Sequence, residues 1–357
     1  MKSLHPWLRS TVAILLGIGL LVVFVGVIVI PFALATTYDR NAPEEGEKEK
    51  APKKAEVPKF NKEAYDARMI SIANYASTTS TTTPRLWPAK TAYPNPGAIL
   101  PDKRIIAYYG NFYSKGMGAL GEYPEDVMLN MLRAEQRKWE AADPATPTMP
   151  AINYIAITAQ ELPGKEGKYL LRMPDTQIDK ALEVAKKVDG IVILDIQIGF
   201  STLEHELPML EKYLAMPNVH LGLDPEFHMI GDDPPGHVIG SFDAREINYA
   251  AEYMANLVRE HNLPPKVLIV HRFTQRMVTN AALIKPLPEV QVVMDMDGWG
   301  PPAKKINTYK QFIYPEPVQF TGFKIFYKND LKPPSERILT PADLLKLTPQ
   351  PMFIQYQ

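Results

Sequence analysis

The sequence predicts a (β/α)8 barrel preceded by a single transmembrane helix. Eight short apolar segments recur between Arg104 and Gln357, the intervals between them carry helical patterns, and most segments keep their polar residues on one parity.

The segments are RIIAYYGN (104–111), PAINYIAITA (150–159), IVILDIQIG (191–199), VHLGLDPEF (219–227), KVLIVHRF (266–273), VQVVMDMDG (290–298), QFTGFKIFY (319–327) and PMFIQYQ (351–357). Each is bounded by Pro, Gly or Asn and is rich in β-branched or aromatic residues, as strands are. Between them, Pro124 with Glu125 and Asp126 opens one helix. Asp175 can cap a second, whose Ile178, Leu182, Ala185 and Val188 follow the helical period, and Thr340-Pro341 starts the last. An open doubly wound sheet is the competing arrangement. Eight strands is the number that closes, and each interval can hold a crossover.

Five regions follow from composition. Residues 1–10 form a cytoplasmic N-terminus, because Lys2 and Arg9 precede an uncharged apolar run at 11–35 that is long enough to span a bilayer. A cleaved signal peptide ending near Ala33-Leu34-Ala35 is the other reading of that run, though it exceeds a usual signal core; both export the barrel to the extracytoplasmic side. Residues 36–60 mix charge and proline as a solvated stalk, 61–100 form an extension packing on the barrel, and 101–357 form the barrel itself. Because the sequence stops at strand eight, part of 61–100 is expected on the barrel wall where an eighth helix would lie. With 39 basic and 40 acidic residues there is no field to gather nucleic acid, so none is expected as a partner. There is no cysteine for a disulfide or a lipid anchor.

Strand parity points one set of polar side chains inward: Tyr109, Asn111, Asp195, Gln197, His220, Asp224, Glu226, Asp295, Asp297, Lys324 and Gln355. His271 is ambiguous, because its strand is apolar on both faces. The acids fall near the strands' C-terminal ends, where barrels of this kind carry their sites, and the longest connections, after strands one, two and four, lie on the same rim. On a strand, Asp224 and Glu226 share a face about 6 to 7 Å apart. An ionised Asp224 would then raise the proton affinity of Glu226, which suits Glu226 to be a general acid for glycosidic cleavage. Asp297 is the expected partner carboxylate and Asp195 the next choice; Tyr109, Phe112, Tyr113, Trp299 and Tyr327 are candidate platforms for sugar rings.

The Asp-x-Glu at the end of strand four resembles the acid motif of barrel glycoside hydrolases, including family 18 chitinases and family 25 lysozymes, and the resemblance implies that Glu226 is the proton donor. More broadly, YYGNFYSKGMGALGEYP, VHRFTQRM, MDGWGPP and FTGFKIFY resemble uncharacterised exported bacterial proteins, often lipoproteins, over most of 104–357.

The expected function is therefore a membrane-anchored glycoside hydrolase acting on a cell-surface or cell-wall polysaccharide. Its catalytic residues are Glu226, Asp224 and Asp297, with Tyr109, Asn111, Asp195, Gln197, His271, Trp299, Lys324 and Gln355 binding substrate, and no cofactor or metal is expected. A non-catalytic glycan-binding or envelope-assembly barrel and a metal-dependent hydrolase stand beside it. Gly116, Gly118 and Gly121 spell G-x-G-x-x-G, but they do not directly follow the strand and no acid ends strand two, as a dinucleotide site requires. Lys324 has the alternatives of balancing the acids or forming a Schiff base.

Overall fold

The computed structural model describes residues 60–75 and 85–357. The expected cytoplasmic N-terminus, the apolar run at 11–35 and nearly all of the stalk lie outside them; among the described residues no helix is long and apolar enough to cross a membrane.

Eight parallel strands close on themselves. They are β1 (Arg104–Gly110), β2 (Thr148–Ala159), β3 (Ile191–Ile196), β4 (Val219–Leu223), β5 (Lys266–Arg272), β6 (Val290–Met296), β7 (Phe320–Ile325) and β8 (Phe353–Tyr356). Each pairs with its sequence neighbour, and β8 pairs with β1 to complete the ring. The open-sheet alternative is thereby excluded.

Helices cover most of the outside. After α1 (Lys62–Ala73) come α2 (Glu125–Ala142), α3 (Asp175–Lys186), α4 (Leu203–Leu214), α5 (Ala244–His261), α6 (Pro302–Thr308) and the one-turn α7 (Pro341–Leu344). The best-capped is α5. Asp243 accepts from the backbone of the first turn while Glu246 reaches back to the Asp243 N–H, and Asn262 ends the helix with φ 51°. Its buried stripe, Ile247, Ala250, Ala251, Met254, Ala255 and Val258, recurs at helical spacing and packs on the strands. Asp175, expected as a cap, is instead the first residue of α3, behind Pro174.

Two features differ from expectation. The β5–β6 connection carries two 3-10 turns, Gln275–Met277 and Ala281–Leu283, rather than an α-helix. The extension does not replace an eighth helix on the wall. Met69 and Ile72 of α1, with Leu100, join the barrel's interior cluster beside Ile105, Ala151, Ile191, Val267, Val293 and Phe353, so the extension plugs the base. Gln291 clamps Leu100 there, accepting from its N–H at 3.0 Å and donating to its carbonyl. On the wall, α2 touches α7 directly, and the space is filled by buried aromatic side chains: Trp139 donates to the Tyr356 hydroxyl at 2.9 Å, and Tyr327 stacks on Tyr356. Burying large rings on both sides does what a helix would otherwise do, since the requirement is removal of apolar surface from water.

Inside the barrel, polarity rises from base to mouth. The base is apolar, the middle holds Asn153, Asp195, His271, Asp295 and Gln355, and the top carries Tyr109, Gln197, Asp224, Asp297 and Lys324.

Candidate active site

Glycines make room for the buried acids. A Cβ on Gly222 would stand 2.4 Å from Asp195 Oδ2, and one on Gly322 would stand 2.4 Å from Asp295 Oδ1. Only a residue without a side chain lets each carboxylate lie against its neighbouring strand.

His271 sits at the centre of these acids, resolving the ambiguity of its strand in favour of the interior. Its Nε2 is 2.8 Å from Asp195 Oδ2, and its Nδ1 is 3.3 Å from Asp295 Oδ2 and 3.2 Å from Asp297 Oδ2. Burial opposes its charge, but the three carboxylates outweigh burial and hold the imidazolium well above the ordinary histidine range. Asn153 donates to Asp195 Oδ2 at 3.3 Å and accepts from Gln355 at 3.1 Å, which ties Gln355 into the same layer.

The mouth above this layer is a cavity of ≈ 460 Å³, lined by Tyr109, Gln197, Asp224, Glu226, Asp297, Trp299 and Lys324 among others. Asp224 and Glu226 reach it by a different route from the one expected. β4 ends at Leu223, and Asp224 caps a 3-10 turn, Pro225–Phe227, accepting from the Glu226 N–H at 3.1 Å. The acids are therefore turn neighbours rather than strand neighbours, because the proline cannot continue the ladder. Gln197 bridges inward, donating to Asp224 Oδ2 at 3.1 Å while its carbonyl accepts from Ala159 N–H.

Protons are distributed by a shortage of cations. His271 and Lys324 face five carboxyl groups: Asp195, Asp224, Glu226, Asp295 and Asp297. Lys324 Nζ lies 3.0 Å from Asp297 Oδ1, with its ammonium 4.0 Å from the centre of the Tyr109 ring. Burial alone would raise Asp297, but Lys324 and the His271 hydrogen bond hold it below the usual carboxylate range. Burial pushes Asp295 up despite His271. Asp224 is raised to about 7 and Glu226 to about 8, each by burial first; Asp224 and Asp297 add to the rise at Glu226. At neutral pH the mouth therefore holds a protonated Glu226 and an ionised Asp297.

The other expected site residues divide. Asp195, His271 and Gln355 lie beneath the cavity rather than on its wall, and Asn111 is elsewhere: it donates to the Ile155 carbonyl at 3.0 Å and accepts from Tyr113 N–H, shaping the loop after β1. Phe112 stacks on Tyr154, Tyr113 is exposed, and Tyr327 belongs to the outer wall, leaving Tyr109 and Trp299 as the expected aromatic residues that line the mouth. Phe227, Phe273, Phe326 and Lys304 also line it and were not anticipated. The first three stand within four residues of a strand end, a position that in retrospect marks them. The glycines of 116–121 serve close packing: a Cβ on Gly118 would meet the Tyr109 carbonyl at 2.4 Å, and one on Gly121 the Asn111 carbonyl at 2.2 Å.

Among the described residues no group of three or more His, Asp or Glu is arranged to hold a metal ion. Each carboxylate of the middle layer already faces the imidazolium, which would repel a second cation. The fold and site together define a closed (β/α)8 barrel with a carboxylate pocket at its C-terminal mouth. No protein-family model and no curated protein sequence matches the chain.

Proposed function

We propose that the protein is a glycoside hydrolase acting on a cell-surface or cell-wall polysaccharide, with Glu226 as general acid. The observation that carries this reading is a half-buried Glu226 raised to about 8 in the same cavity as an Asp297 held ionised by Lys324. A proton donor and a fixed negative charge lining one cavity are what cleavage through an oxocarbenium-like transition state requires. Glu226 gives its proton to the departing glycosidic oxygen. Asp297 opposes the positive charge that develops on the sugar ring, and Asp224 raises the proton affinity of Glu226. Asp195, buried beneath the cavity, does not serve as the partner carboxylate. The uncharged run at 11–35 supports an anchored barrel on the extracytoplasmic face.

One observation favours a second reading, a glycan-binding barrel without turnover. Asp297 lies between two cations, with Oδ1 3.0 Å from Lys324 Nζ and Oδ2 3.2 Å from His271 Nδ1, which lowers its reactivity as a nucleophile or base. Reducing-end release from peptidoglycan and chitin-type oligomers, with Glu226→Gln and chelator controls, separates the readings. Release that vanishes in the variant and survives chelation supports the hydrolase. Glycan binding without release supports the binding module, and loss on chelation supports metal-dependent hydrolysis.

A further inference from the structure

We propose that the mouth selects a saccharide bearing negative charge, a carboxylate or a phosphate, through Lys304 of the β6–β7 connection and Lys332 of the β7–β8 connection. The proposal rests on the saccharide reading of the same pocket, and it concerns which saccharide is taken.

Trp299 is nearly half exposed, directly follows Asp297-Gly298 and lines the cavity, the position expected of a flat platform for a sugar ring. Its indole is instead faced by two ammonium groups, Lys304 at 5.2 Å and Lys332 at 5.0 Å from the ring centre. Two further lysines of this sector also stand over mouth aromatics, Lys324 over Tyr109 and Phe326, and Lys305 over Phe326. Those two are compensated, Lys324 by Asp297 and Lys305 by Asp330. Lys304 and Lys332 form no ion pair among the described residues, so two positive charges remain at the edge of the pocket.

The placement of Lys304 is built in. Gly300 has φ +138°, and a Cβ there would stand 3.0 Å from Lys304 Cδ and 3.6 Å from its Nζ. A position that favours glycine thus leaves room for the lysine stem, whose ammonium stands over the indole. Within the pocket, Asp297 is matched by Lys324 and Glu226 retains its proton, so the interior carries less negative charge than its carboxyl groups would supply if all were ionised. An ammonium is a strongly hydrated point charge, suited to an acidic substituent at the solvent edge and indifferent to whether that group is a carboxylate or a phosphate.

The test is binding, which does not depend on turnover. Affinities of the full-length protein, held in detergent, are measured by calorimetry for polygalacturonate and hyaluronan against their carboxyl-reduced counterparts. A phosphodiester-linked glycerol teichoic acid forms the phosphate arm. Acidic polymers are expected to bind more tightly than neutral partners, losing about 3-fold with Lys304→Gln or Lys332→Gln and about 10-fold with both, less so at high salt. Both lysines are exposed, and unchanged melting temperatures confirm folding. If no acidic polymer outbinds its neutral counterpart or control, or if the double variant binds as the wild type does, the proposal is overturned. Glu226-dependent cleavage of a neutral glycan would then leave the hydrolase reading intact. Acid-selective binding without any cleavage would leave selection standing and remove the hydrolase.

Discussion

Glu226→Gln, the substitution expected to abolish activity, should also stabilise the protein, and by an amount that depends on pH. The carboxyl is raised from an ordinary 4.5 to about 8, first by burial and then by Asp224 and Asp297. A group that holds its proton more tightly when folded favours folding less and less as pH rises from the unfolded value to the folded one. At about 1.4 kcal/mol per pKa unit, the penalty reaches about 5 kcal/mol above pH 8 and about 3 kcal/mol at pH 7, and it vanishes below about pH 4.5. Glutamine fills the same space without titrating. With an unfolding entropy near 0.6 kcal/mol per kelvin for a domain of roughly 300 residues, about 3 kcal/mol raises Tm by about 5 °C. Scanning calorimetry of both proteins at pH 5 and pH 7 reads the difference. A Tm gap that is the same at both pH values would refute the claim that Glu226 retains its proton in the fold, and the general-acid role with it.

Three further outcomes follow from the same geometry. The kcat/KM profile should fall near about pH 8 as Glu226 loses its proton, while its acid limb lies below the ordinary carboxylate range because Lys324 holds Asp297 ionised; Lys324→Met should move that acid limb upward, and an unmoved limb would separate Asp297 from the chemistry. Gly222→Ala places a methyl 2.4 Å from Asp195 Oδ2, so urea unfolding should show about 1 to 3 kcal/mol of destabilisation, and a loss under about 0.5 kcal/mol would mean that Asp195 does not need that space. Trp139→Ala should lower stability by about 3 to 5 kcal/mol in the same assay while leaving ligand affinity unchanged, since its ring fills the wall between α2 and α7 far from the mouth.

The barrel was legible because most strands repeat one instruction. In Val219, Leu221 and Leu223 against His220, Gly222 and Asp224, alternation gives the strand, its inward face and the position of its acid at once. Residues just beyond the ladders were legible as acids but not in their geometry. Asp224 and Glu226 reach the mouth through a turn that Pro225 imposes, and strand spacing says nothing about a turn. Asn111 followed the alternation one residue too far and became a loop ligand of the Ile155 carbonyl. The plug was invisible because Met69, Ile72 and Leu100 meet partners as distant in sequence as Met352 and Phe353, and no local pattern encodes a contact of that range. Lys304 and Lys332 read as ordinary solvated lysines; only the backbone at Gly300 and the Trp299 ring between them give them a location.

The plug at the base has a consequence for traffic through the barrel. With Met69, Ile72 and Leu100 sealing one pole, the layer around His271 exchanges protons with solvent only through the opposite one. A ligand seated in the mouth closes that remaining passage. A ligand there stands between solvent and the buried His271–Asp295 pair, so that pair meets water only when the mouth is empty.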